Sequence, residues 1–180
     1  MMMMMRTALR TLNRAVATIV GGALLSIIWA DNIALANEPI LPIPLEAEVD
    51  PKKAALGRML FNDPRLSKDA TLSCASCHVL AKGGADGRPV SIGVGGAKGV
   101  INAPTVYNSA GSVRQFWDGR AEDLHAQVDG PVQAENEMAS LWPDIVTKLY
   151  ADPAYPGLFD AIYPDGIGRD AIKDALAEFQ

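Results

Sequence analysis

Between Pro51 and Phe61 the apolar residues Ala54, Leu56, Met59 and Leu60 recur at helical spacing, separated by Lys52, Lys53 and Arg58. Asp50-Pro51 reads as an N-cap followed by proline in the first turn, and Pro64 bounds the helix downstream. The same spacing returns from Gly168 to Gln180, where Ala171, Ile172, Ala175, Leu176 and Phe179 share one face. This last pattern is still running at Gln180, with no C-cap signal. Shorter helices are predicted from Ala121 to Val128, capped by Asp118, from Pro143 to Tyr150 and from Tyr155 to Ile162. No stretch alternates polar and apolar positions convincingly enough for a sheet. Lys82 to Gly99 holds seven glycines and Pro89, and reads as one long loop. The pattern predicts a mostly α domain with long loops.

The first residues show a different pattern. Arg6, Arg10 and Arg14 precede an apolar run from Ala15 to Ala30, and Ala34-Leu35-Ala36 offers a small-x-small cleavage site. Residues 1–36 are therefore expected to be a signal peptide, with an uncleaved membrane anchor as the alternative. Residues 37–49, with Pro39, Pro42 and Pro44, are expected to form an extended arm, and 50–180 the domain itself. Removing the leader leaves 13 basic and 20 acidic residues and moves the net charge from −5 to −7. That acidity argues against nucleic-acid binding. The expected compartment is the periplasm.

The chemistry is concentrated in Ser73-Cys74-Ala75-Ser76-Cys77-His78. Cys-x-x-Cys-His is the attachment signature of a c-type haem. Two thiols at this spacing reach the two vinyl groups of one porphyrin, and the next residue offers an imidazole to the iron. Cys74 and Cys77 are the only cysteines, and His78 and His125 the only histidines. A structural zinc would need all four, and a thioredoxin-like pair would need a βαβ context. A local Cys74–Cys77 disulfide is the remaining alternative in an exported chain. Gly93-Val94-Gly95-Gly96-Ala97-Lys98 looks like a phosphate loop but lacks the Lys-Ser/Thr ending.

With the haem motif go several segments in one colinear order. These are Leu60-Phe61-x-Asp63-Pro64-Arg65-Leu66-Ser67, Gly83-Gly84-Ala85-Asp86-Gly87, Asn102-Ala103-Pro104-Thr105-Val106, Gln115-Phe116-Trp117-Asp118-Gly119-Arg120, and Gly130-Pro131 with Glu137-Met138. Together they resemble the bacterial di-haem cytochrome c peroxidases. The resemblance covers nearly all of the chain after the leader, but only the family's N-terminal half. It implies a cytochrome c-like haem domain, with a second, electron-accepting haem domain expected beyond Gln180 and this chain truncated.

The resemblance further implies that Cys74 and Cys77 carry haem c, with His78 as the proximal ligand of its iron. Glu137 matches a distal glutamate that moves protons during peroxide cleavage, and Gln127 a glutamine near the same cavity. Read alone, Glu137 would be a solvated acid beside Glu135. Trp117 matches a tryptophan between the two haems, and Asn102 a ligand of Ca2+. Val94 stands where most of the family places an iron-capping histidine, which implies a haem open on its distal side. Related di-haem enzymes that mature methylamine dehydrogenase keep such a haem. His125 reads as an exposed helix residue, and Met59 and Met138 as unsupported sixth-ligand candidates. The implied activity is reduction of hydrogen peroxide to water with electrons from a small donor protein, a cytochrome c or cupredoxin. A mono-haem electron carrier and a maturation-type oxidase acting on a partner protein are the alternatives.

Overall fold

The computed structural model describes Ile43 and residues 48–180; the expected leader and most of the expected extended arm lie outside these residues. Among the described residues seven helices follow one another: α1 (Pro51–Phe61), α2 (Cys74–Cys77), α3 (Leu124–Gln127), α4 (Asp129–Gln133), α5 (Trp142–Tyr150), α6 (Ala154–Asp160) and α7 (Arg169–Phe179). Short 3-10 turns and long loops join them, and the described residues contain two isolated β-bridges but no strand. The fold is mostly α, as the periodicity predicts.

Helix α1 begins where its sequence requires. The Asp50 carboxylate accepts from the amides of Lys52 (2.8 Å) and Lys53 (3.2 Å), two of the donors a helix start leaves unpaired. Leu56, Gly57, Leu60 and Phe61 form its buried face, which packs on Ile172, Ala175 and Leu176 of α7. Met59, predicted on the apolar side, is instead exposed, because the buried stripe is centred on Gly57. A side chain there would hold the two helices apart.

Three polar links fix the loops around this pair. Lys148 of α5 donates to the carbonyls of Ser67 (2.7 Å), Lys68 (3.1 Å) and Arg65 (3.3 Å), securing the segment that leads into α2. Asp129 opens α4 and accepts from Trp142 Nε1 (2.8 Å), Arg169 Nη2 (2.7 Å) and Lys173 Nζ (2.7 Å). Lys173 is consequently buried, on a helix face that the apolar pattern alone leaves to carbon.

The third link is buried Asp63, which accepts from Tyr155 Oη at 2.6 Å and from the guanidinium of Arg65, itself paired with Asp152. Burial pushes the Asp63 carboxyl up, but the bonds from Arg65 and Tyr155 outweigh it and hold it below its ordinary value. Its folded value therefore lies below the unfolded one of about 3.9. The stabilisation is complete above about pH 4 and is lost as pH falls towards the folded value. Asp63→Asn should cost about 2 kcal/mol at neutral pH in a denaturant titration and lose part of the parent's acid sensitivity.

One predicted element moves. Asp118 caps no helix; Asp123 does, accepting from the Ala126 amide at 2.7 Å, and α3 spans only Leu124–Gln127. Gly119 at φ +69° and the Gln115–Ala121 bridge fold residues 115–121 into a tight hairpin, where Asp118 pairs with Arg120. Helix α4, which the sequence reading does not anticipate, continues directly from α3.

Candidate functional site

Helix α2 is a single turn, and its start is secured locally. The Ser73 amide donates to Ser76 Oγ at 2.9 Å, and the His78 amide closes the turn on the Cys74 carbonyl at 2.9 Å. Residues three apart share a helix face, so both sulfurs are presented together. No disulfide joins them. Burial pushes the Cys74 thiol up to about 12 and raises that of Cys77 as well.

The loops hold His78 by main-chain atoms. Its Nδ1 lies 3.0 Å from the Pro104 carbonyl and 3.2 Å from the Gly84 carbonyl. Both partners can only accept, so Nδ1 is the donor, and the neutral imidazole then offers its lone pair at Nε2. This is the orienting contact that metal-bound histidines characteristically make. Gly84 makes it possible: at φ +75° its Cβ would come within 3.0 Å of Thr105 Oγ1 and the Val106 amide. Phe61 of α1 backs the imidazole, with ring centroids 6.4 Å apart.

His78, Cys74 and Cys77 line a cavity of about 380 Å3, within the range of small-molecule and cofactor sites. Glu137, Gln127, Trp117 and Asn102 line the same cavity. The structure thus gathers all seven sequence-predicted site residues. Two thiols on one turn, an imidazole with Nε2 free and a largely carbon-lined cavity make a donor set that fits a thioether-linked haem. Met138 also lines it and is buried, whereas Met59, His125 and Val94 do not line it.

Glu137 sits on the tight turn between α4 and α5, its amide bonded to the Ala134 carbonyl at 3.0 Å. The glycine-rich loop braces it from outside. The Val94 amide donates to the Glu137 carbonyl at 2.8 Å, and a Cβ on Gly93 would lie 2.2 Å from the Asn136 carbonyl oxygen. Burial raises the carboxyl of Glu137 above its ordinary value, with Arg120 and His78 pulling the other way. The carboxylate accepts no hydrogen bond from another described residue, which leaves it free to hold or release a proton.

Trp117 is 62% exposed, with its Nε1 donating to the Asn102 carbonyl at 3.3 Å. Among the described residues no three His, Cys, Asp or Glu side chains converge as a metal cage would, so Asn102 has no carboxylate cluster beside it. The carbonyls of Gly84 and Pro104, the clearance at Gly93 and the guanidinium of Arg120 are absent from the sequence reading of the site. Their segments stand in the motif order, but a backbone carbonyl leaves no residue signature.

The family model for di-haem cytochrome c peroxidase matches residues 51–180. The chain is 54% identical over 145 residues to cytochrome c peroxidase Ccp of Escherichia coli, covering 80% of this chain and 31% of that protein. It is 42% identical over 173 residues to cytochrome c551 peroxidase of Nitrosomonas europaea, covering 95% and 51%. A solved MauG-like protein associated with microbial copper homeostasis superposes with a TM-score of 0.69 at 33% identity, over 81% of this chain and 45% of that one. The chain therefore spans about a third to a half of the length of these relatives. With the family model matching nearly all the described residues, the chain belongs to the di-haem cytochrome c peroxidase family.

Proposed function

We propose that this chain is the haem c-bearing, peroxide-reducing domain of a periplasmic cytochrome c peroxidase. The observation that carries the reading is His78, fixed by two carbonyls with Nε2 free, in the same cavity as Cys74, Cys77 and Glu137. Residues 1–36 would direct export, and a second haem domain in a longer protein would receive electrons from a cytochrome c or cupredoxin. The overall conversion joins hydrogen peroxide, two electrons and two protons into two waters.

Cys74 and Cys77 would hold the porphyrin by thioether bonds and His78 Nε2 would hold its iron. The haem, when bound, supplies a redox centre that polarises peroxide. The protein supplies the proton path. Glu137 takes a proton from one peroxide oxygen and returns it to the other, which departs as water; its otherwise unbonded carboxylate suits both halves of this transfer. Gln127 lines the same space and can orient peroxide. Trp117, at the cavity and exposed, can relay an electron. Asn102 would contribute one oxygen to a calcium site completed by groups elsewhere.

The test is an intact mass of protein recovered from the periplasm, paired with peroxide consumption driven by a reduced cytochrome c. One covalent haem on this domain, lost in Cys74→Ala and Cys77→Ala, is expected. A haem-free protein beginning at Met1 would overturn the reading. Partner-protein oxidation is a second reading, favoured by the exposed Trp117 and the MauG-like structural relative. Sluggish peroxide turnover by the loaded protein would support it.

A further inference from the structure

The cavity has a charge problem. Half-buried Glu137 and exposed Asp118 line it, and a bound haem would add two propionates. A buried carboxylate needs a cation or several donors close by. Besides His78, Arg120 is the only basic side chain among the described residues that lines the cavity.

Arg120 is held in an unusual seat. Its guanidinium lies over the Phe116 ring, 3.4 Å from the centroid, and Nη1 bonds both oxygens of Asp118 at 2.9 and 3.0 Å. Phe116 has φ +67°, a conformation disfavoured for a bulky residue. Its ring presses against Gly130, where a Cβ would come within 2.6 Å of Cζ. Such backbone strain persists only where its surroundings over-determine it, and it clusters at functional sites. What this strained hairpin achieves is the posture of Phe116 and the cation on it. The Nε and Nη2 donors of Arg120 bond no other described residue, so a fork of N–H groups remains for an anion.

We propose that Arg120 anchors a haem propionate, its unpaired Nε and Nη2 donors binding the carboxylate while Phe116 and Asp118 hold the guanidinium in place. Arg120 also opposes the burial that raises Glu137, so its charge reaches the proton-transfer region. The planar fork makes arginine, rather than lysine, the suited residue.

The proposal rests on the haem reading, and the test separates the two. Haem-loaded parent, Arg120→Gln and Arg120→Lys proteins are compared by intact mass, by the propionate-bending mode in resonance Raman spectra and by the midpoint potential. Arg120→Gln should keep its covalent haem, shift the bending mode and move the potential to more negative values. Arg120→Lys should keep the charge but lose the fork, giving a smaller potential shift with an altered bending mode. If the glutamine variant does not load haem, the lysine variant alone decides. An unchanged bending mode in both overturns the proposal, even where peroxide turnover falls, since that combination assigns Arg120 to Glu137. A parent protein without haem overturns the functional reading instead, and the anchor with it.

Discussion

If the proposed function holds, Glu137→Gln is expected to slow peroxide reduction by roughly 10²–10⁴-fold, the usual contribution of a positioned general acid–base group. The amide keeps the shape and lining of the cavity but can neither accept the first proton nor carry it to the leaving oxygen. Covalent haem content and helicity should be unchanged, because Glu137 holds its turn through its amide and carbonyl rather than its side chain. The pH profile adds a sharper readout. Burial raises Glu137 above the ordinary carboxyl value, although Arg120 and His78 oppose this. Its protonation should therefore set the acid limb of kcat/KM in the parent, and the limb should vanish in the variant.

Stability runs the other way. A carboxyl whose folded pKa is raised stabilises the fold fully only below its unfolded value, and that contribution is lost as pH rises through the folded value. Above the folded value the ionised, half-buried group is a burden, so Glu137→Gln should there be at least as stable as the parent. Lower activity with equal or greater stability marks a group retained for chemistry. A variant with parental peroxide kinetics would return Glu137 to the solvated acid that its neighbour Glu135 suggests.

The parts of this protein that the sequence exposes are those where one residue type has one use. Asp50-Pro51 marks the start of α1, and the helical spacing of Ile172, Ala175 and Leu176 marks the face of α7 that packs on it. The cysteine pair and the adjacent histidine carry their own spacing rule. Elsewhere two choices were chemically equal and only tertiary structure chose. Asp118 and Asp123 are both good caps; Gly119 turns the chain back and gives Asp118 to Arg120, which leaves the helix start to Asp123. Lys173 lies among apolar neighbours because Asp129 reaches it from α4. Val94 illustrates a different limit. Its match to an iron-capping position says what its side chain lacks, whereas in the structure its amide braces Glu137 and it does not line the cavity.

Gly57→Ala should be the most damaging small substitution in the helical core. An added Cβ would lie 1.8 Å from the Ala175 carbonyl oxygen, 2.7 Å from its carbon and 2.9 Å from Phe179 Cβ. Two of those three atoms are backbone, so no rotamer change relieves the contact. Helix α7 must move away from α1, opening the core around Leu56, Leu60 and Leu176. Helix propensity works in the opposite direction, since alanine is favoured over glycine by about 1 kcal/mol in a helix interior. Overpacking typically costs up to about 3 kcal/mol and more where backbone is forced apart, so the steric effect should win clearly. The net expectation is a loss of at least about 2 kcal/mol in denaturant unfolding. Gly157→Ala in α6 is the matched control: a Cβ there meets nothing within 4 Å, and a gain of about 0.5–1 kcal/mol is expected from the same propensity. The damage should also reach the cavity. Phe61 touches Phe179 at 5.2 Å between centroids and faces His78 at 6.4 Å, so separating α1 from α7 loosens the support behind the proposed iron ligand. In the loaded protein Gly57→Ala should therefore alter the haem absorption spectrum, and Gly157→Ala should not. Equal stability of Gly57→Ala and the parent would mean that α1 and α7 do not meet at this glycine, and the link from the helical core to His78 would fall with that contact.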